Sequence, residues 1–557
     1  YLRYTRQSYD GFVWATSAGL PRPLIVLPGS REQDGADIRL VRLDDQLASL
    51  RHQLTLLTSY RNSLAHISCL PDKVVSEIFV RYAWATDTLH NLRWTKLLLV
   101  CRRWRNVGLT TPALWSCVGN SDHVNRQAIP RQLQLSGSHP LTVAIEEDDS
   151  ENVLLSATAP LQPHLDRICS IQLRSLKGPL QQFLSMLALE RRPALRTLSL
   201  HLITYDVAEE PLVLSGPQTE RIACGLRVLD LYDVGVDWSR FSGLTSMTVG
   251  YRTGSTLLLS VPILFDVLRQ SPGLTDVRLR HCLALLHPSD GNEPGDVELP
   301  VLEVLEYQGH GSVCAELLSR MRLHPGTRFY LSIEGLPDAP DVQPFLQALA
   351  PHLQTSDMSP RPLLQLHSAF DALVWTSAPI RHYFVPMTSR ENRLMLAVDP
   401  ESDAACRRIL STIMRQLPGA ANVETLDVRF VTNRNDSDLF SYILDLLPNL
   451  RTIVISTRQI SLSFIDALRA QALRLVCDQG VAEEQRRPTP LRRIHWDRTL
   501  FLSNELIGAA QKDELAAQLS GLLREYARAG FSLEELVIDD TNSEVPRLTL
   551  KVRSFFF

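Results

Sequence analysis

A short apolar phrase, L-x-x-L-x-L, returns along most of this 557-residue chain, often just after a helix-forming run and a proline. Leu180 to Leu189 carries the three-and-four spacing of a helix, Pro193 follows, and Leu195, Leu198 and Leu200 complete the phrase. The same order recurs as Ile263 to Leu268, Pro272 and Leu274/Val277/Leu279, and as Leu439 to Leu447, Pro448 and Leu450/Ile453/Ile455. With Gly530 in place of proline it recurs once more, as Leu515 to Tyr526 and Leu533/Leu536/Ile538. Phrases with less defined helices are Ile168/Ile171/Leu173, Leu226/Leu229/Leu231, Leu244/Met247/Val249, Leu302/Leu305/Tyr307, Val423/Leu426/Val428 and Leu491/Ile494/Trp496.

The spacing has a physical meaning. The last two apolar positions, two apart, share one face of a short strand, and the first fills the turn leading into it. Proline ends the preceding helix and biases its neighbour toward extended structure. One such unit cannot bury its apolar side alone, so neighbours must stack. The expected class is therefore α/β, with parallel strands backed by helices in an irregular, leucine-rich-repeat-like solenoid over residues 130–557. Residues 330–420 fit least well. Phe329/Leu331/Ile333 and Leu394/Leu396/Val398 read as strands and Val342 to Leu349 as a short helix, but the rest is loop-rich and suggests an insertion or a domain boundary.

The N-terminal region has a different grammar. Residues 1–36 hold Gly, Pro and Ser without periodicity and read as loop or disordered chain. Over 37–64, Leu40, Leu43, Leu47, Leu50, Leu54, Leu57 and Leu64 fall at alternating three- and four-residue steps, with Arg61 occupying one place in the series. That is a heptad stripe on one helix face. It suits either a zipper or an amphipathic helix packing on its own domain or pairing weakly. No basic region precedes it, which argues against a DNA-binding zipper.

Residues 66–118 concentrate large apolar groups in a small space. Ser68 could cap a first helix whose first turn holds Pro71, and Val75, Ile78 and Phe79 then share a face. A second helical stretch carries Leu97, Val100 and Cys101, leading to Trp104, Val107 and Leu109. Small helical units of this kind usually finish burying their surface on a partner. Leu70-Pro71, Ile78-Phe79, Val100-Cys101-Arg102-Arg103-Trp104-Arg105 and Pro112-Ala113-Leu114-Trp115 resemble, in order and spacing, the F-box motif. Arg61-Asn62, Arg93-Trp94 and Ser136-Gly137-Ser138-His139-Pro140-Leu141 are similar to the surroundings of F-box proteins common in mushroom-forming fungi. The sequence departs from that pattern at Asp72-Lys73, where the acidic residue is shifted, and at Val74-Val75, where longer aliphatics are usual.

The resemblance implies a three-helix module that binds a Skp-family adaptor and, through it, a cullin–RING ubiquitin ligase. On that basis Leu70, Pro71, Val75, Ile78 and Phe79 form a first contact surface. Val100, Cys101, Trp104 and Leu109 supply a second, which Trp115 closes. The repeat region would hold a protein target.

Other functions find little support. The net charge is −4, so no global positive field gathers nucleic acid or anionic lipid. The nine cysteines are scattered without zinc-ligand spacing, and free thiols in a reducing compartment are expected. Gly250 to Gly254 lacks the spacing and the Lys-Ser/Thr ending of a phosphate loop. His281-Cys282 suits a packed thiol better than a nucleophile with its base. No catalytic residue, cofactor or metal is expected. The chain opens at Tyr1 without a secretory pattern, so its natural start is expected upstream and its compartment to be cytoplasm or nucleus.

Overall fold

A computed structural model gives the architecture. It describes residues 31–120, 128–146, 154, 159–188, 194–204, 210–252, 255–284, 295–334 and 339–353. Beyond these it describes short pieces at 363–367, 372–376, 392–398, 425–430, 437–447, 449–456, 466–470, 492–497, 535–539 and 547–551, with a few single residues. The expected helix at Leu515 to Tyr526 lies outside the described residues except for Gly521 and Arg524, which are helical, and most of the N-terminal 1–36 segment lies outside them too.

The chain divides into two compact units, one made of Tyr1–Ile78 with Lys96–Gly108 and the other of Phe79–Thr95 with Leu109–Phe557. Residues 66–118 contribute to both. The first unit opens with α1, Arg31–Ser63, which starts earlier than the leucine stripe. Residues 31–36, whose composition reads as loop or disordered chain, are therefore helical, because an apolar period marks only the part of a helix that carries a stripe. A 3₁₀ turn, His66–Cys69, follows, then α2, Asp72–Ala85. A second 3₁₀ segment, Arg93–Leu99, precedes α3, Arg102–Leu109. Leu97, Val100 and Cys101 therefore do not share one helix with Trp104, as their spacing suggested. The backbone breaks at Val100 and Cys101, and the Trp104 N–H donates to Cys101 Sγ at 3.4 Å, capping the new helix.

The second unit is built on a seventeen-stranded sheet. Nine strands come first in chain order: β1 Cys117–Asn120, β2 Leu141–Glu146, β3 Ile168–Ser175, β4 Thr197–Leu202, β5 Val228–Tyr232, β6 Ser246–Gly250, β7 Asp276–Arg280, β8 Val304–His310 and β9 Arg328–Glu334. Each pairs in parallel with the one before it. The leucine phrases are thus strands with a buried lead-in residue: Leu195, Leu226, Leu244, Leu274 and Leu302 are buried just ahead of them. A second regularity lies in the backbone. The N–H of Arg227, Thr245, Thr275 and Glu303 each donates to the carbonyl of the equivalent residue one strand earlier, at 2.7–2.8 Å. This fixes register where the connecting segments vary in length.

Connecting helices back the sheet. Leu180, Phe183, Leu184 and Leu187 of α5 (Lys177–Leu187, with α4 being Ala128–Leu135) are buried at helical spacing. Val261, Leu264, Phe265 and Leu268 are buried likewise in Val261–Arg269, and Val313, Cys314, Leu317 and Leu318 in Gly311–Arg320. All join one apolar cluster with the inward residues of β3 to β9. Each fully buried aliphatic contributes roughly 1.5–3 kcal/mol, so the array is held by its core rather than by intrinsic helix propensity.

The sequential order breaks where the sequence was least regular. Next come β10 Leu363–His367, β11 Ala372–Thr376 and β12 Asn392–Val398, and it is β12, not β10, that pairs in parallel with β9. Phe329, Leu331 and Ile333 stand opposite Leu394, Leu396 and Val398 in that pairing. Strand β11 then runs antiparallel between β12 on one side and β10 on the other. Parallel order resumes from β10 through β13 Thr425–Phe430, β14 Thr452–Ser456, β15 Arg493–Asp497 and β16 Glu535–Asp539, and β17 Arg547–Lys551 closes the order antiparallel. Strands β10 to β12 are an antiparallel excursion within a parallel sheet. Among the described residues, no helix is long and apolar enough to cross a membrane.

Candidate functional site

In the first unit, the turn after α1 presents Leu70 and Pro71 at the start of α2. Ser68 does not cap α2: its Oγ donates to the Asn62 carbonyl at 2.6 Å, folding the turn back on the end of α1. The Pro71 carbonyl accepts from Val74 and Val75, at 2.9 and 3.1 Å, and starts the helix. Arg103 of α3 clamps the turn from the other side. Its Nε and Nη2 donate to Asp72 Oδ1 at 2.8 and 2.7 Å, Nη1 donates to the Ser68 carbonyl at 2.6 Å, and Nη2 also reaches the Leu70 carbonyl. Asp72, which looked like a departure from pattern, is the carboxylate of this clamp. Arg103 was legible only as part of a basic run; nothing in its spacing signals a bond to residues some thirty places earlier.

Helix α2 carries two apolar stripes, and they have opposite fates. Val75, Phe79 and Ala83 are buried, whereas Val74 and Ile78, each displaced by one residue, stay exposed. Ile67 is exposed beside them in sequence, and the break before α3 leaves Leu99 83% and Val100 55% exposed. Pro71 is exposed, and Leu70, Cys101 and Trp104 are half-buried. The first unit therefore presents Ile67, Pro71, Val74, Ile78, Leu99 and Val100 as open apolar groups, an unusual amount for so small a helical piece.

Three residues expected on a contact surface are withdrawn from solvent. Val75 and Phe79 are each 1% exposed and Trp115 is 7% exposed, so in this conformation they serve the interior. In the second unit Trp115 meets buried Trp94 edge to face, with ring centroids 5.0 Å apart. That geometry suits the opposed charge of ring face and edge. Leu109 is half-buried. The sequence does not mark Val74 and Leu99 as contact residues, because apolar spacing alone does not say which of two adjacent stripes faces outward.

The polar side of β3 to β9 offers a second surface. Strand register places Gln172, Ser199, Asp230, Thr248, Arg278, Glu306 and Tyr330 in one row. Asp230 Oδ2 accepts from Ser199 at 2.9 Å and lies 3.0 Å from His201 Nε2. Burial opposes its charge, but these bonds, the His201 ring and the nearby Arg280 hold the carboxyl below its ordinary value. Arg278 pairs with Asp276 at 2.8 Å and Arg280 with Glu306 at 2.6 Å. Gly250 leaves room for the Tyr232 ring, since a Cβ there would stand 2.7 Å from Tyr232 Cδ2. The row is mixed in sign and largely satisfied within itself.

The adjacent His281-Cys282 pair does not form a nucleophilic site. Cys282 is buried, and desolvation pushes its thiol up to about 12. Among the described residues, no three or more His, Cys, Asp or Glu side chains gather as a metal site would require. No family model matches this chain, and no curated protein does so either.

Proposed function

We propose that this chain is the substrate-recognition subunit of an SCF-type cullin–RING ubiquitin ligase. Its F-box-like segment would grip a Skp-family adaptor, and the strand array, as a leucine-rich-repeat-like solenoid, would hold a protein target. The observation that carries this reading is the set of open apolar groups in the first unit, Ile67, Pro71, Val74, Ile78, Leu99 and Val100, in the segment that resembles an F-box. A few such anchors can supply most of an interface's affinity. The mechanism is positional: the target is held near a charged conjugating enzyme, which raises its effective concentration, and the chemistry belongs to other subunits.

The test is co-purification with a Skp-family adaptor. Val74→Asp with Ile78→Asp, both at exposed positions, should abolish capture without unfolding the chain, and Leu70→Ala with Pro71→Ala should weaken it. Unchanged capture by both double variants would refute the docking surface. A scaffold that binds the adaptor without directing ubiquitination is separated by target turnover, which should depend on the same residues only for a ligase subunit.

A further inference from the structure

The leucine stripe of α1 remains uncovered. Leu40, Leu43, Leu47, Leu50, Leu54 and Leu57 are between 48% and 67% exposed, and Leu64 in the turn that follows is 66% exposed. The described side chains of the helix from Arg39 to Arg61 are all exposed, so no described element of the first unit packs along it. Scattered surface leucines need no explanation, but a 3.5-residue period sustained across the helix does. That period is the one that keeps a single seam facing a neighbouring helix as both supercoil, and it serves no purpose on a lone, straight helix.

We propose that α1 pairs in parallel and in register with α1 of a second copy of this chain. Leu40, Leu47 and Leu54 take the first heptad position of the seam, and Leu43, Leu50 and Leu57 the fourth. The flanking charges favour this occupant and this orientation. Across a parallel seam, the residue just before each first position faces the residue five places later on the partner. Arg39 then faces Asp44 of the other copy, twice by symmetry, while Gln46 faces Arg51 and Gln53 faces Thr58. No like charges meet. Arg61 takes a first heptad position at the C-terminal end, where two helices leave its guanidinium a route to water and a third helix would enclose it. A dimer follows.

In a parallel pair the two C-terminal ends of α1 lie together, which brings the Leu70-Pro71 turns of both copies to one end of the coil. Resting on the adaptor reading above, the assembly would present two docking surfaces and engage a multivalent target with avidity.

The experiment is light scattering coupled to gel filtration on the full chain at tens of micromolar. Wild type should elute with twice the chain mass, and Leu47→Glu with Leu54→Glu with the mass of one chain. Both substitutions sit on a solvent-exposed face, and circular dichroism should show the rest of the fold retained. With Cys69 and Cys224 changed to Ser, Leu50→Cys should oxidise to a reducible dimer that the parent lacks only if the helices run parallel and in register. A monomeric wild type, a dimer indifferent to the glutamates, or absence of the cross-link would each overturn the proposal. Adaptor capture per chain by the monomeric variant is read separately, so failure of the docking surface and failure of the coiled coil remain distinguishable.

Discussion

Arg103 offers a quantitative test of how the Leu70-Pro71 turn is held. Arg103→Met keeps the aliphatic stem and removes every donor. Two charge-assisted bonds to the Ser68 and Leu70 carbonyls are lost, at about 1 kcal/mol net each in this half-exposed setting. The ion pair with Asp72 goes too, but Asp72 is 69% exposed and such a pair contributes under ~1 kcal/mol. The total is about 2–3 kcal/mol, confined to the turn and the start of α2. Asp72→Asn leaves the carbonyl bonds intact and should cost no more than ~0.5 kcal/mol. Hydrogen exchange on the full chain reads this locally: at 1.4 kcal/mol per tenfold, amides between 64 and 78 should exchange roughly thirty- to hundredfold faster in Arg103→Met and about twofold faster in Asp72→Asn. Combining the two changes should fall short of additivity by the ion-pair coupling alone. If Arg103→Met accelerates exchange no more than Asp72→Asn does, the carbonyl bonds are not what orders the turn.

Other outcomes follow from packing and charge. Gly119→Ala would bring a Cβ within 2.8 Å of the His90 carbonyl, a backbone atom, and should cost roughly 1–3 kcal/mol in chemical denaturation. Gly250→Ala meets chiefly the exposed Tyr232 ring, which can swing aside, and should cost less than ~1 kcal/mol. Trp115→Ala empties the space against Trp94 and should cost about 3–5 kcal/mol by the same measurement. Because the Asp230 carboxyl is held below its ordinary value, its contribution to stability is complete above about pH 4 and disappears as pH falls through the depressed range. Denaturation midpoints of Asp230→Asn should therefore show a shallower loss in acid than wild type. Under native conditions near neutral pH, a thiol reagent should label exposed Cys69 and Cys224 while sparing Cys282 and Cys314 until the chain unfolds.

The strand array was readable because its determinants are local. Two apolar side chains two residues apart share a strand face whatever their neighbours, and a buried leucine ahead of them marks where the chain turns in; Leu195/Leu198/Leu200 and Leu274/Val277/Leu279 meet both conditions. The pairing of β9 with β12 was not readable, though both strands were, because partner choice between non-adjacent segments depends on the path of the chain between them. Heptad spacing likewise marked α1 as a helix, but only the surrounding structure could say that its stripe stays uncovered. The same division of labour governs α2. Val74, Val75, Ile78 and Phe79 guarantee an apolar helix with two stripes about 100° apart, and nothing in their order ranks one stripe above the other. Which stripe turns inward is decided by what the rest of the chain brings beside it, since burial is a property of neighbours; the structure buries Val75 and Phe79 and leaves Val74 and Ile78 open to water.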